Sequence, residues 1–393
     1  MDEVFDIRIE KLVYGGDGLG RLDGQAVFVP MTAPGDLARV RTVERKKGYL
    51  RAELVEVLEP GAVRRTPPCP HYGTCGGCQL QHVDYAAQRS AKAAMVRETL
   101  NRLARIELAD DPGVVADDAH EFGYRIRASA HIAQTRNGTF FGFHAAKSNH
   151  VVDVPSCMLL VPELDAAWRR ARESAASLHR LDTLGLDAGD NAVSADPPIA
   201  AVPSSELEIT VAGLTFSYPG GAFFQVNRPL LDRLVTDVTS GATGDVALDL
   251  YSGVGLFSLP LARSFQQVIG VESNAQAVAS ARANAARNGC ANVEFIESPV
   301  EEWLARSAQP VSIDFAIVDP PRAGVGADAA RRLAELAPMH IVYVSCDPST
   351  LARDLKILLG AGYTLESVVV FDLFPQTYHI ETVARLVRTP PGA

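Results

Sequence analysis

The sequence predicts a doubly wound, mostly parallel α/β domain in its C-terminal half, preceded by a small OB-like β-barrel and a mixed α+β segment. Three observations lead there. From about residue 216, short apolar strands alternate with helical stretches, the pattern of an open parallel sheet with helices on both faces. The first 60 residues read as short strands broken by glycine turns, which suits a small barrel. Between these regions, three cysteines fall within ten residues, a density that points to metal or cluster binding rather than a disulfide framework.

The expected domains are 1–60, 61–215 and 216–393. In the first, Val4–Leu12, Ala26–Pro30, Leu37–Glu44 and Arg51–Leu58 are strand-like, with turns at Gly15–Gly18 and Ala33–Asp36. Such barrels often hold nucleic acid on one face. In the second, a helix is expected over Val83–Arg105, strands over Arg125–Ile132, Thr139–His144 and His150–Val154, and an amphipathic helix over 163–180. Residues 182–205, rich in Asp, Gly, Ala and Pro, read as a loop or insertion. In the third, Val246–Leu250, Gln267–Val271, Asn292–Glu297, Phe315–Val318 and His340–Val344 are the strands, with helices such as Ala275–Asn288 and Ala327–Leu336 between them.

A chain of 393 residues fits two or three domains. No run of about 18 apolar residues predicts a membrane span, and the acidic start Met1–Asp6 lacks the features of a secretion signal, so a cytoplasmic location is expected. A net charge of −10 argues against a protein that coats nucleic acid non-specifically. Two basic runs leave room for a local basic face: Arg39, Arg41, Arg45, Lys46, Lys47 and Arg51, then Arg89, Lys92, Arg97, Arg102 and Arg105. Either could equally be a solvated surface.

Four motifs carry chemistry. Asp249-Leu250-Tyr251-Ser252-Gly253-Val254-Gly255 ends a strand and enters a helix through two glycines, which lets a ligand approach the backbone at the carboxyl end of the strand. Glu272 closes the next strand 23 positions after Asp249, where a carboxylate can accept hydrogen bonds from ribose hydroxyls. The spacing departs from the G-x-G-x-x-G of a nicotinamide site, and together with the motifs that follow this favours S-adenosylmethionine. Asp319-Pro320-Pro321-Arg322 puts an acid at the rim of the sheet. Ser345-Cys346-Asp347-Pro348 sets a thiol just before a capped helix, where the dipole and free amides are expected to give it thiolate character. Cys69-x5-Cys75-x2-Cys78, with Cys157 as a fourth thiol, suits an iron–sulfur cluster or zinc; the lone Cys157, in place of a second C-x2-C pair, favours the cluster. Glu381 is an isolated acid in a late apolar strand.

In this order, the motifs resemble the RNA 5-methyluridine methyltransferase family over nearly the whole chain. The most specific parts are the cysteine loop, Phe223-Phe224-Gln225-Val226-Asn227, Asp319–Arg322, Ser345–Pro348 and His379-Ile380-Glu381-Thr382. The N-terminal barrel looks like a TRAM domain. A TRAM domain with a four-cysteine site is similar to the branch that modifies 23S ribosomal RNA; the transfer RNA branch is the alternative. The resemblance implies an enzyme with RNA as partner and S-adenosylmethionine as methyl donor. It implies Cys346 as nucleophile and Glu381 as general base. It implies Gln225, Tyr251, Glu272 and Asp319 around the donor and reaction centre, with Gly253 and Gly255 in the donor loop. It implies Cys69, Cys75, Cys78 and Cys157 as ligands of a [4Fe-4S] cluster. Leu256 and Pro299 depart from the polar residues usual at two donor contacts. Cys290 matches no role.

The chemistry explains why such a set is needed. Uracil C5 is a weak nucleophile, and addition of a thiolate at C6 makes C5 enolate-like. A base must then remove the C5 proton so that the thiolate can leave. Two rivals use different features. A radical S-adenosylmethionine methylthiotransferase would carry C-x3-C-x2-C, against the C-x5-C-x2-C found here. A non-catalytic RNA-binding protein would have no need of Cys346, Glu381 and the donor loop together.

Overall fold

A computed structural model describes residues 3–136, 138–306 and 312–389. Strands Val4–Leu12, Gly18–Leu22, Gln25–Val29, Leu37–Arg45 and Tyr49–Glu59 form a closed barrel. Their inward residues, among them Ile7, Ile9, Val27, Val29, Val40 and Leu50, make a separate small core. The Gly18–Leu22 strand was not among the expected strands and begins at the last residue of the expected Gly15–Gly18 turn. Its Gly20 faces Ile7 and the Arg8 carbonyl so closely that a Cβ would sit 2.5 Å from the oxygen.

The first basic run lies on this barrel and is largely neutralised within it. Arg39 pairs with Asp6, Arg41 with Glu53, Arg45 with Glu3, and Lys46 and Arg51 with Glu44. These pairs are exposed, so each contributes little to stability and is readily exchanged for another partner.

A five-stranded antiparallel sheet follows, in the order Val193–Asp196, Thr183–Ala188, Arg127–Thr135, Gly138–His144, Val151–Asp153. The helix Pro162–Glu173 covers one face through Leu164, Trp168 and Ala171. Two of these strands fall inside 182–205, so the expectation of a loop there is corrected. Leu184 and Leu186 alternate into the core, and Asp187, which made the segment look loop-like, is a buried ion-pair partner of Arg127 at 3.3 Å.

The C-terminal sheet has eight strands, in the order Val293–Glu297, Phe265–Glu272, Gly244–Leu250, Phe315–Val318, His340–Ser345, Glu381–Arg388, Tyr363–Phe371, Gly113–Val115. The pairs running from Val293–Glu297 to His340–Ser345 are parallel, and Glu381–Arg388 runs against both of its neighbours. The hairpin Glu206–Val211/Leu214–Pro219 spans residue 215, and Gly113–Val115 adds an edge strand from the middle of the chain. Helix Tyr85–Ala104 packs beside helix Pro348–Gly360. No helix among the described residues is long and apolar enough to cross a membrane.

Candidate active site

The carboxyl ends of the parallel strands carry the first half of the site. After Gly244–Leu250 the chain turns at Tyr251, whose φ is +64° and whose hydroxyl donates to Glu301 Oε1 at 2.8 Å. Gly253 N donates to Glu272 Oε2 at 3.1 Å, and Asn274 N donates to Glu272 Oε1 at 2.7 Å, which fixes the carboxylate at the end of the neighbouring strand. Gly255 has φ +92°, and a Cβ there would lie 2.7 Å from Leu259 Cδ1, so glycine is required on two counts. Leu256 is buried in the core, and Pro299 is exposed beside helix Val300–Arg306.

Asp249 belongs to this loop and was not among the expected binding residues, although its place at the strand end was visible. It is fully buried. Its Oδ2 accepts from Ser258 Oγ at 2.5 Å, while Oδ1 and the Ser252 hydroxyl have no hydrogen-bond partner among the described residues. Burial pushes its carboxyl up to about 7, against the pull of the Ser258 hydrogen bond.

The second half of the site lies one and two strands over. Gln225 Nε2 donates to Asp319 Oδ2 at 3.4 Å, which joins the Phe223–Asn227 segment to the rim of the Phe315–Val318 strand. Cys346 follows the His340–Ser345 strand. The antiparallel register pairs Ser345 with Thr382 and Val344 with Val383. Cys346 and Glu381 are the next residues beyond the Ser345–Thr382 pair. The electrostatics agree: Glu381 and Asp319 are the charges that act most strongly on the thiol. Asp347 caps the next helix, accepting from Ser349 N at 2.7 Å and Thr350 N at 3.1 Å.

The thiolate expected from the helix terminus is not what this free site favours. Burial first, then the Glu381 and Asp319 charges, push the Cys346 thiol up to about 12, and Arg322 opposes this only in part. The helix amides that might have stabilised a thiolate are taken by the Asp347 carboxylate. Asp319 is itself pushed up to about 7 by burial, against the hydrogen bond from Gln225. Burial, then the charge of Asp319, hold Glu381 well above the usual carboxylate range. These are the expected effects of desolvation and like charge on closely set acids. Arg125 and Arg322 form no ion pair among the described residues, and both fields hold nearby His379 down, beneath the larger effect of burial.

The four predicted cysteines converge. Cys69, Cys75, Cys78 and Cys157 all line one cavity of about 350 Å³, together with Arg125, Tyr378 and His379. They are free thiols, and burial raises Cys78 to about 12 and Cys157 to about 11. Asp165 fixes Cys157 by accepting from its amide at 2.9 Å. Among the described residues, no three His, Cys, Asp or Glu side chains close on a single metal ion. Cys290 stands apart, half-buried with Sγ 3.8 Å from Leu259 O.

The cysteine loop also grips the segment that leads to Glu381. The Gln376 carbonyl accepts from Gln79 N and Leu80 N, each at 3.0 Å. The Gln376 side chain is bound by Gln88 at 3.0 Å and Arg65 at 3.1 Å. Tyr124 and Asn227 donate to the carbonyls of Pro375 and Leu373 at 3.0 and 3.1 Å. Fully buried, Gln376 has φ +69°, a conformation held only by this dense bonding.

Residues 156–389 match the family described as tRNA (Uracil-5-)-methyltransferase, and residues 3–55 match the TRAM domain. The chain belongs to the RNA uracil-5-methyltransferase family. It is 32% identical over 413 residues to the 23S rRNA (uracil(1939)-C(5))-methyltransferase RlmD of Pectobacterium atrosepticum, covering 94% of this chain and 90% of that one. An RNA methyltransferase of Aquifex aeolicus is 32% identical over 425 residues, covering 98% and 99%. Among solved structures, the Pyrococcus abyssi tRNA (uracil-54, C5)-methyltransferase in complex with S-adenosyl-L-homocysteine superposes with a TM-score of 0.74 at 29% identity, over 98% of this chain and all of that one. The doubly wound domain, the barrel and the enzymatic class are thus as expected. Since a transfer RNA enzyme matches almost the whole chain, the overall fold by itself does not separate the two RNA substrates.

Proposed function

We propose that this enzyme methylates C5 of a uridine in 23S ribosomal RNA, with Cys346 as nucleophile and Glu381 as general base. The observation that carries the mechanism is the approach of the two segments: the register ends with Ser345 opposite Thr382, next to Cys346 and Glu381, and the charges of Glu381 and Asp319 act on the Cys346 thiol. The ribosomal substrate is supported by the RlmD relatives at 32% identity.

The Cys346 sulfur adds to uracil C6, and its proton passes to solvent as the S–C6 bond forms. The C5–C6 electron pair moves toward C5 and O4. S-adenosylmethionine, when bound, would supply the electrophilic methyl group that C5 takes, its S–CH3 bond breaking to leave the neutral thioether S-adenosylhomocysteine. Glu381, as carboxylate, removes the C5 proton, the C5–C6 double bond re-forms, and the thiolate leaves and regains a proton. One proton is released overall per methyl transferred. Burial and neighbouring negative charge disfavour the ionised forms of both Cys346 and Glu381 in the free site, so ionisation is part of the barrier. A positive charge seated beside Asp319 would ease it.

The donor loop fits S-adenosylmethionine. Asp249 Oδ1 and Ser252 Oγ are buried polar atoms without hydrogen-bond partners among the described residues. Glu272 keeps lone pairs for ribose hydroxyls beyond the amides that it already accepts from. Gly253, Gly255 and Tyr251 shape the backbone around the donor, as the turn geometry allows. Cys69, Cys75, Cys78 and Cys157 line one cavity, and four thiols on the C-x5-C-x2-C spacing with a lone fourth cysteine are the donor set that would hold a [4Fe-4S] cluster. Such a cluster would supply a rigid four-point cross-link between the cysteine loop and Cys157. Arg322, which forms no ion pair among the described residues, is a candidate for contact with an RNA phosphate, a contact that fixes position rather than reads sequence.

The test is methylation of 23S ribosomal RNA fragments and transfer RNA transcripts with labelled donor. 5-Methyluridine at one position of the 23S fragments supports the proposal. Label in transfer RNA alone would overturn the substrate, and label in neither would overturn the activity.

A further inference from the structure

Tyr14 belongs to the barrel by sequence and to the catalytic centre by position. It lies in the turn between strands Val4–Leu12 and Gly18–Leu22, closed by hydrogen bonds from Val13 N to Asp17 O at 2.9 Å and from Gly16 N to Val13 O at 3.0 Å. The Tyr14 hydroxyl donates to Asp347 Oδ2 at 3.2 Å. Its ring meets Tyr378 edge-on, with centroids 5.9 Å apart and planes at 90°. Two residues on, Gly16 has φ +89°, and a Cβ there would lie 2.9 Å from Gln79 Cβ and 3.5 Å from Tyr378 Cβ. The turn is therefore seated tightly between the cysteine loop and the segment before Glu381.

The two oxygens of Asp347 divide their work. Oδ1 caps the Pro348–Gly360 helix through the Ser349 and Thr350 amides, and Oδ2 takes the Tyr14 hydroxyl. Asp347 follows Cys346 directly, and Tyr378 precedes Glu381 by three positions. One side chain of the N-terminal barrel thus touches both segments that carry the reacting groups. Burial, then the Asp347 charge, hold the phenol above its ordinary range, so it remains a donor at neutral pH.

We propose that Tyr14 is a positioning residue for methyl transfer, holding the Cys346–Asp347 turn against the Tyr378–Glu381 segment so that the barrel completes the catalytic centre. The proposal rests on the reading of Cys346 and Glu381 as nucleophile and base. Tyr14→Phe keeps the ring contact and removes the hydrogen bond to a carboxylate, an interaction strong enough to make a loss of about tenfold in rate reasonable. Tyr14→Ala removes both contacts and should lose more.

The experiment uses the full chain, with kcat and KM on methylatable RNA, RNA affinity by filter binding, and thermal stability for each variant. The expected result is a kcat lowered about tenfold in Tyr14→Phe, with KM, RNA affinity and melting temperature near those of the wild type, and a larger kcat loss in Tyr14→Ala. A Tyr14→Phe kcat equal to wild type, or a loss confined to RNA affinity or stability, would overturn the proposal. The phenylalanine variant decides the matter even if the alanine variant fails to fold. Cys346→Ala, measured alongside, keeps the two readings apart. Activity retained there would defeat the nucleophile assignment, while Tyr14 would still be judged by its own effect on kcat.

Discussion

Replacing Lys92 with methionine would strand a carboxylate inside the protein. Lys92 Nζ donates to Asp372 Oδ1 at 2.6 Å and to the Phe374 carbonyl at 3.0 Å, and both side chains of the pair are fully buried. Asp372 Oδ2 already has no hydrogen-bond partner among the described residues. Methionine roughly fills the space of the lysine stem, so the loss is electrostatic rather than a cavity. Removing one partner of a buried pair costs about 3–5 kcal/mol, whereas replacing both by apolar residues is often neutral. The assay is a double-mutant cycle by urea unfolding, with Lys92→Met, Asp372→Leu and the double variant. Lys92→Met should lose about 3–5 kcal/mol and the double variant should recover more than half of it. A Lys92→Met stability within about 1 kcal/mol of wild type would mean that Asp372 is not left as an unpaired buried charge.

Three further outcomes follow from the site. Cys75→Ser should lower stability by about 1–3 kcal/mol and weaken RNA binding, because its loop holds Gln376 through Gln79 and Leu80; melting temperature and RNA affinity both at wild-type values would contradict a structural role for the four-thiol site. Asp319, raised to about 7, keeps its proton in the folded chain between about pH 4 and 7 while the unfolded chain has lost it, so this group makes stability fall as pH rises through that window. Asp319→Asn removes the effect, so its stability relative to wild type should rise from pH 5 to pH 7, and a constant difference in urea midpoints would contradict the assignment. Gln225→Ala removes a hydrogen bond that favours the Asp319 carboxylate, and the acid limb of the kcat/KM profile should move to higher pH; an unmoved limb would separate Asp319 from the reaction.

Much of the fold was legible in local pattern. Val4–Leu12, Phe315–Val318 and Ala327–Leu336 take the predicted bounds, because apolar periodicity and the flanking turns agree there. The strands Thr183–Ala188 and Val193–Asp196 were hidden because Asp187, a residue that usually marks a loop, is matched by Arg127 from a strand more than fifty residues earlier. The basic run around Lys92 was open to two readings, surface or RNA face. The structure instead buries Lys92 on Asp372 and pairs Arg89 with Asp118 and Arg97 with Asp111.

The site residues were visible one at a time, and their relations were not. The approach of Cys346 to Glu381 follows from an antiparallel pairing, Ser345 opposite Thr382, at the end of the parallel part of the sheet. The direction of the Cys346 shift depends on burial and on two carboxylates brought in by other strands, which outweigh the local helix end. The contact of Tyr14 with Asp347 joins positions from opposite ends of the chain. No local signal encodes any of these.

Covalent attack by the proposed nucleophile Cys346 on uracil C6 can be trapped with RNA carrying 5-fluorouridine at the target. Fluorine at C5 leaves no proton for Glu381 to remove, so the methylated adduct cannot break down. Incubation with this RNA and S-adenosylmethionine should give a denaturation-resistant protein–RNA species with the wild-type chain and none with Cys346→Ala. No adduct with the wild-type chain, or an undiminished adduct with Cys346→Ala, would contradict the account.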